Sequence, residues 1–594
     1  MSPFWRKRED PEHRRLAERL ATLPLFTGLG REALQALAAT LHWQQLPAGE
    51  LLFDQGDPAN ALYLLIYGRL VALHEMPNGD WRHVGSVVSG HAVGETALLT
   101  DRPRNARVVA LRDSELLRLD RADFEALLAQ HPQPMLRLAR AALRRYSEDQ
   151  QQPPLPRCFA VLPATPGVDV RAFAREFAAA LGGVAPPELI APSPADTNAA
   201  PGGREERSAR LIYLGSDDAA WNERCARQSD VVLFLADAAE DPARCQRLPL
   251  PQGHSQIERL LVLKGHDAIR HGSTRQWLDA FPAASQAIHL RDDAAMARLG
   301  RRLSGRATGL VLSGGGARGF AHLGALRALR EAGHPIDYVG GSSIGAIIGA
   351  GVACGWDDDW LREVNYRSFV IGKPVSDWTL PLVSLYGGRR VAKLLREAFG
   401  ERDIEDLPIP FYCCSSSLTS GRLVVHERGR LWQWLRAASA IPGVLPPVLS
   451  GGEVLVDGGV IDNLPVREMR QRVSGRVFAV DAGGDNTLQT SLEEFELPPW
   501  WKLLPRLWRG RQRPRITQIL LRAGMVNSDA TTRRWSRHAD LLIRPSLPDI
   551  DLLNWKAFDR AYDAGYRAAA EALEGRQADV PGRVDQTPEG NASD

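Results

Sequence analysis

LVLSGGGARGFAHLGALRALR, residues Leu310 to Arg330, is an apolar run that breaks into glycines around Arg318 and resumes as a helical pattern, with Leu323, Leu326 and Leu329 three apart. Strand, glycine turn and helix in that order present backbone N–H groups to negative charge at a helix N-terminus. That charge can be a pyrophosphate, or an oxyanion that exists only during a reaction. Gly314, Gly316 and Gly319 spell G-x-G-x-x-G, the dinucleotide fingerprint, and Asp337 lies near where a ribose-binding acid is expected. The turn alone leaves both readings open.

The next stretch narrows the choice. In HPIDYVGGSSIGAIIGAGVACG (His334–Gly355) a strand over Ile336–Val339 runs into Gly341-Ser342-Ser343-Ile344-Gly345, and a helix of small residues follows. G-x-S-x-G between strand and helix is the context of a nucleophile elbow, where the serine sits on a strained turn that larger neighbours would block. Ser343 is the candidate nucleophile, with Gly341 and Gly345 as the elbow glycines. Further on, RAASAIPGVLPPVLSGGEVLVDGGVIDNLPV places Asp457 at the end of an apolar strand, before Gly458 and Gly459. By itself an aspartate before glycines is a turn residue.

In this order, G-G-G-x-R-G, G-x-S-x-G and D-G-G, followed by Asn463-Leu464-Pro465, resemble the patatin-like phospholipases. The resemblance implies that the turn Gly314, Gly315, Gly316, Ala317, Arg318, Gly319 is an oxyanion hole. N–H groups around Gly315, Gly316 and Ala317, near Arg318, would stabilise the alkoxide formed when Ser343 attacks an ester carbonyl. It also implies that Asp457 replaces histidine as general base, and that the substrate is a phospholipid or lysophospholipid, with no cofactor and no metal. A solvated carboxylate, with a pKa of about 4, is a feeble base. The site must therefore desolvate Asp457. A Ser-Asp-His triad with His538 or His322 as base stays open beside the dyad.

Between Leu46 and Leu119 short apolar runs alternate with glycines at Gly49, Gly56, Gly68, Gly79, Gly90 and Gly94, the rhythm of a small antiparallel β-roll. A helix follows through Phe124, Leu127 and Leu128 to Leu136, Leu138 and Leu143. VGETALLTDRPRNARVVA resembles the phosphate-binding cassette of cyclic nucleotide-binding domains, and PAGELLFDQGDPANALYLLIYGRLVAL resembles the strands before it. A guanidinium can take a cyclic phosphate bidentately and a carboxylate can accept from a ribose hydroxyl. The candidate nucleotide-binding residues are Gly94, Glu95, Arg104 and Asn105. Asn105 departs from the small Ala, Ser or Thr of family members that bind nucleotide, and Arg107 replaces another small residue.

From Cys158 to about Arg302, strand-like runs (CFAVLPA, RLIYLG, DVVLFLAD, RLLVLKG) alternate with helical segments, a βα pattern for a parallel sheet without a phosphate turn. The expected organisation is multidomain: a β-roll cyclic nucleotide-binding-like domain with an N-terminal helix over 1–147, an α/β Rossmann-like intermediate domain over 158–302, an α/β patatin-like hydrolase domain with a largely parallel sheet over 306–575, and a disordered tail over 576–594. EDQQQPPLPR (Glu148–Arg157) is a linker between the first two, and APSPADTNAAPGGREER (Ala191–Arg207) a long loop inside the second. From about Leu46 to Gly575 the chain resembles the neuropathy target esterase family almost end to end. The corresponding expectation is a serine acyl hydrolase with a domain that a cyclic nucleotide could modulate. The rivals are a cyclic nucleotide-sensing scaffold with weak or no hydrolase activity and a dinucleotide-dependent enzyme.

Composition sets outer bounds. The 594 residues hold 73 Lys plus Arg against 71 Asp plus Glu, so no global charge asks for nucleic acid. Six scattered cysteines form no C-x-x-C pair, which points to a reducing compartment. The N-terminus, MSPFWRKREDPEHRRLAERL, is charged where a signal peptide needs an apolar core. A cytoplasmic protein, at most peripheral on the inner face of a membrane, is expected. PPWWKLLPRLWRGRQRPR mixes Trp500, Trp501 and Trp508 with Lys502, Arg506, Arg509, Arg511 and Arg513, the composition of a segment that settles among anionic headgroups.

Overall fold

The computed structural model describes residues 11–23, 26, 30–76, 81–95, 102–130, 154–183, 185–192, 208–245, 258–265, 271–291, 293–483, 528–548 and 550–578. The chain divides into two compact units, 1–268 with 276–304 and 269–275 with 305–594.

The first unit holds two sheets. Its antiparallel roll comprises β1 (His42–Leu46), β2 (Leu51–Phe53), β3 (Ala61–Glu75), β4 (Trp81–Val88), β5 (Ala92–Val93) and β6 (Arg107–Asp120). Strand β3 pairs with β4, β5 and β6, and β6 also takes β1 and β2. Along β6 from Arg107 to Leu116 half-buried and buried positions alternate with period two, as expected where one face meets the core. The other sheet comprises β7 (Cys158–Pro163), β8 (Glu188–Ile190), β9 (Leu211–Leu214), β10 (Val231–Asp237), β11 (Glu258–Lys264) and β12 (Gln286–Leu290). It runs β12-β11-β10-β7-β9-β8, every pairing parallel. β7 is buried along its whole length, the continuous apolar run of a sheet covered on both faces. The two strands that the βα pattern leaves out, β8 and β12, are the edge strands, where half-buried positions tolerate Glu188 and Gln286.

Roll and parallel sheet meet on a buried charge cluster. Asp230, just before β10, lies 3.3 Å from Arg112 of β6 and 3.6 Å from Arg69 of β3. Its other oxygen accepts from the N–H groups of Arg157 and Cys158 at 2.8 and 3.0 Å. Desolvation raises the affinity of this carboxyl for a proton, but the two guanidinium groups and two N–H donors outweigh it, and its pKa falls below the usual range.

The second unit is built on an eight-stranded sheet: β13 (Thr308–Leu312), β14 (Tyr338–Ser342), β15 (Phe411–Ser417), β16 (Leu423–His426), β17 (Val448–Ser450), β18 (Glu453–Asp457), β19 (Arg476–Val480) and β20 (Leu541–Ile543). Strands β15, β14, β13, β19 and β20 are parallel neighbours in that order; β16, β17 and β18 are antiparallel additions. The register around β15 positions the site. Cys413 and Cys414 pair with both β14 and β16, so those two strands lie on opposite edges of β15. Ser415 and Ser416 pair with both β16 and β18, so β18 lies opposite β16. Strands β14 and β18 therefore occupy one edge of β15 in tandem and meet end to end, with Ser342 opposite Cys414 and Asp457 opposite the next residue, Ser415.

The helix Ser343–Ala353 is buried from end to end, which its run of Gly, Ala and Ile permits. It packs in one apolar core with Phe320, Phe411, Leu435 and Phe478. The helix Phe558–Ala578 runs three residues past Gly575, where the tail is expected to begin. Residues 579–594, most of the linker, most of the Ala191–Arg207 loop, the helix beyond Gln130 and the tryptophan-rich segment lie outside the described residues. No helix among the described residues is long and apolar enough to cross a membrane.

Candidate active site

Strand β14 ends at Ser342, and Ser343 follows with φ at +53°, one of two non-glycine residues in the left-handed region among those described. Such a conformation costs a residue with a Cβ about 1–2 kcal/mol. It also turns the side chain out of the sheet at the head of the helix. Glycine is required beside it. A Cβ on Gly345 would stand 2.3 Å from the carbonyl oxygen of Leu312, and one on Gly314 would stand 2.4 Å from Asn463 Oδ1 and 3.0 Å from the Cβ of Ser343. These approaches let the glycine turn after β13 lie against the serine.

Ser343 Oγ donates to Asp457 Oδ2 at 2.6 Å, both groups buried. The other oxygen, Oδ1, accepts from Gly459 N–H at 2.8 Å. Burial pushes the Asp457 carboxyl up to about 6, against the opposing pull of the Ser343 hydroxyl and the Gly459 N–H. Asp457 is thus a desolvated carboxylate with a stronger appetite for a proton than an exposed one. Asp462 is buried as well and is pushed up to about 7 by desolvation; its carbonyl accepts from Ser342 Oγ at 2.9 Å.

In the glycine turn the Gly314 N–H donates to the Asn463 carbonyl at 3.2 Å, the Ala317 N–H to the Leu552 carbonyl at 2.8 Å and the Arg318 N–H to the Gly315 carbonyl at 3.1 Å. Gly315 and Gly316 carry the donors that remain uncommitted in the turn. The guanidinium of Arg318 binds the carbonyls of Ile550, at 2.7 Å, and Gly483, at 2.9 Å, and so clamps the turn to distant chain instead of facing Ser343. Gly319 packs beneath, where a Cβ would reach Ile344 at 2.3 Å.

The histidine rivals fall elsewhere. His322 is fully buried with Nε2 on the Ser313 carbonyl at 2.8 Å, and desolvation drives its pKa down to about 4. It braces the start of the glycine turn as a neutral ring. The carbonyl of His538 takes Arg470, and its ring lies 5.2 Å from Trp535. Asp337, the ribose acid of the dinucleotide reading, is buried and accepts from Thr308 N–H at 3.0 Å. That contact lies at the N-terminal ends of parallel β13 and β14, about 16 Å from a turn at their C-terminal ends. The dinucleotide reading therefore fails on position.

Behind Ser343 opens an apolar cavity with about 760 Å³ of empty space, mouth included. Ser343 and Gly316 stand in its wall; Ile347, Val391, Leu395, Phe399 and Trp555 line the rest. Trp356 and Phe399 stack with ring centroids 5.1 Å apart. The sequence motifs give no hint of this cavity, because its wall is drawn from helices and loops scattered between 316 and 555.

In the β-roll, Arg104 is buried and already occupied. It donates to the carbonyls of Gly94 at 3.0 Å and Ala61 at 2.6 Å, and its guanidinium lies 4.1 Å over the ring of Phe53. Glu95 is buried and Asn105 exposed. Arg107 is engaged by both oxygens of Asp54 and covers Trp81 at 4.0 Å. Residues 96–101 of the cassette lie outside the described residues.

Comparison with known proteins places these features. The patatin-like phospholipase family model matches residues 310–470 and the cyclic nucleotide-binding domain model residues 43–131. A lysophospholipase NTE1 of Coccidioides immitis is 29% identical over 90% of this chain and 40% of its own length, so the chain spans less than half of that relative. An NTE family protein of Mycobacterium bovis is 32% identical over 93% of this chain and 96% of its own. Among solved structures, the Thermus thermophilus catabolite activator protein shares 34% identity over 21% of this chain and 59% of its own, with a TM-score of 0.20. A match that runs over nearly the whole of two chains, together with the patatin-like and cyclic nucleotide-binding models matched here, identifies this chain as a member of the NTE family of patatin-like phospholipase proteins.

Proposed function

We propose that the chain is a serine acyl hydrolase that cleaves fatty acyl esters of lysophospholipids and phospholipids through Ser343 and Asp457. The observation that carries this reading is the 2.6 Å hydrogen bond from a strained serine to a desolvated aspartate at the wall of an apolar cavity. Asp457 takes the hydroxyl proton as Ser343 Oγ attacks the ester carbonyl. The tetrahedral oxyanion is met by the N–H groups of Gly315 and Gly316, each such donor being worth a factor of about a hundred to a thousand in rate. Collapse breaks the bond to the alcohol, which leaves with the proton from Asp457. Water, deprotonated by Asp457, then releases the fatty acid from Ser343. The acyl chain lies among Ile347, Leu395 and Phe399, where burial of each methylene contributes about 0.8 kcal/mol. Fatty acid release from a panel of lysophospholipids and diacyl phospholipids tests the reading. Release that rises with chain length is expected, and an enzyme inert toward every member would refute it.

For the roll, cAMP and cGMP are the candidate ligands, through Arg104 and Glu95. Arg104 would first have to exchange the carbonyls of Gly94 and Ala61 for the phosphate. Hydrogen bonds to a charged group are worth about 1.5–3 kcal/mol each, so this exchange weakens binding. Calorimetry on the full chain is expected to show no saturable heat below about 0.1 mM nucleotide. Micromolar binding that Arg104→Ala removes would mean that the cassette gives up these bonds readily, and modulation of hydrolysis would become the reading to pursue.

A further inference from the structure

Within the second unit, between the turn Tyr366–Ile371 and the helix Arg389–Phe399, the chain forms a short finger. Trp378 and Tyr386 pair as an antiparallel bridge, with ring centroids 4.7 Å apart. Thr379 N–H donates to the Leu385 carbonyl at 3.2 Å, and Gly387 N–H to the Asp377 carbonyl at 2.8 Å. The base is anchored, since Leu385 and Tyr386 N–H donate to the carbonyls of Gly443 and Val444 at 2.9 and 3.0 Å. The tip, Leu380-Pro381-Leu382-Val383, faces outward: Leu380 is 72% exposed, Leu382 83% and Val383 67%, and Trp378 behind them 71%. A single exposed leucine is ordinary, but four large apolar side chains on one hydrogen-bonded finger form a surface that marks a partner.

Two further observations say which partner. The finger stands at the rim of the cavity that holds Ser343, because Pro374 and Val375 at its start and Leu445 beside its anchor line that cavity. The flanking charge is mostly positive: from Ile371 to Phe399 the cations are Lys373, Arg389, Arg390, Lys393 and Arg396, all exposed, against two acids, Asp377 and Glu397, the latter 3.7 Å from Lys393. An apolar tip with a cationic collar matches an anionic lipid surface, whose tails take the tip and whose phosphates take the collar. A protein partner would be as well served by a neutral collar.

We infer that this finger docks the chain on anionic lipid. Leu380, Leu382 and Val383 sit below the headgroups, Trp378 sits at headgroup level, and the cavity mouth is held against the bilayer so that an acyl chain enters without crossing water. The purpose assigned to the cavity rests on the hydrolase reading; the docking does not. The test is co-sedimentation of the full chain with vesicles of phosphatidylglycerol and phosphatidylcholine, run in a Ser343→Ala background so that turnover does not alter the lipid. Leu380→Ser, Leu382→Ser and Val383→Ser combined are expected to weaken partitioning by roughly a hundredfold. In the active background, kcat/KM for a water-soluble short-chain ester should stay within about twofold, as for exposed substitutions generally. Unchanged vesicle binding overturns the proposal, as does a loss of self-association in light scattering without a loss of lipid binding, which would make the finger a contact between copies. If vesicle binding falls as expected while wild-type chain hydrolyses no ester, docking stands and the hydrolase reading is the one that fails.

Discussion

Ser343→Ala is expected to lower ester hydrolysis by about four orders of magnitude or more and to abolish labelling by a fluorophosphonate probe. The substitution removes the Oγ proposed to attack the ester and to hand its proton to Asp457, to which it donates at 2.6 Å. It should leave the fold intact, because alanine carries the same Cβ into the left-handed turn at +53° and adds no new strain. Ser343→Gly separates chemistry from folding. It should be equally inactive yet more stable by about 1 kcal/mol, since glycine adopts this conformation without the steric cost. The checks are initial rates on a short-chain ester, probe labelling on a gel, and thermal midpoints of the three chains. Labelling of the alanine variant at the wild-type level would place the nucleophile elsewhere.

What the sequence makes legible here is what local geometry controls. The glycines at 341 and 345 follow from collisions within one strand-turn-helix segment, and the turn at 314–319 follows from glycines that let backbone approach backbone. The meeting of β14 and β18 is different in kind. It depends on both strands docking in tandem on one edge of β15, a non-local pairing that no motif encodes. Arg318 and Ala317 show the same limit. Their partners are carbonyls at Ile550, Gly483 and Leu552, at least 165 residues away, so the sequence could not tell which N–H groups of the turn are free. Arg104 is legible as a buried-cassette arginine, but its occupation by the carbonyls of Gly94 and Ala61 is a matter of strand register. The apolar finger is invisible for another reason: Leu380, Leu382 and Val383 look like core residues until the fold leaves them outside.

Asp457→Asn is expected to be nearly as inactive as Ser343→Ala, since it removes the group proposed to accept the proton in both half-reactions. Its pH dependence carries the sharper test. With the carboxyl pushed up to about 6 by desolvation, kcat/KM of the wild type should rise with pH through a midpoint near that value and level off above it. Below the midpoint Asp457 is protonated and cannot take the serine proton. The same shift has a stability consequence of opposite sign. A carboxyl whose pKa is raised on folding, from 3.8 to about 6, contributes to stability below the unfolded value and loses that contribution as pH rises through the folded one. Above it, the buried charge costs about 3 kcal/mol, at 1.36 kcal/mol per pKa unit. The asparagine variant, neutral at every pH, should therefore match or exceed the wild type in thermal midpoint at pH 8 and lose that advantage at pH 4. Asp462, pushed up to about 7, is another buried carboxyl able to produce such a limb. Asp462→Asn should leave the midpoint near 6 if Asp457 sets it. A midpoint that moves with Asp462, or an asparagine variant at 457 that keeps substantial activity, would take the general-base role away from Asp457.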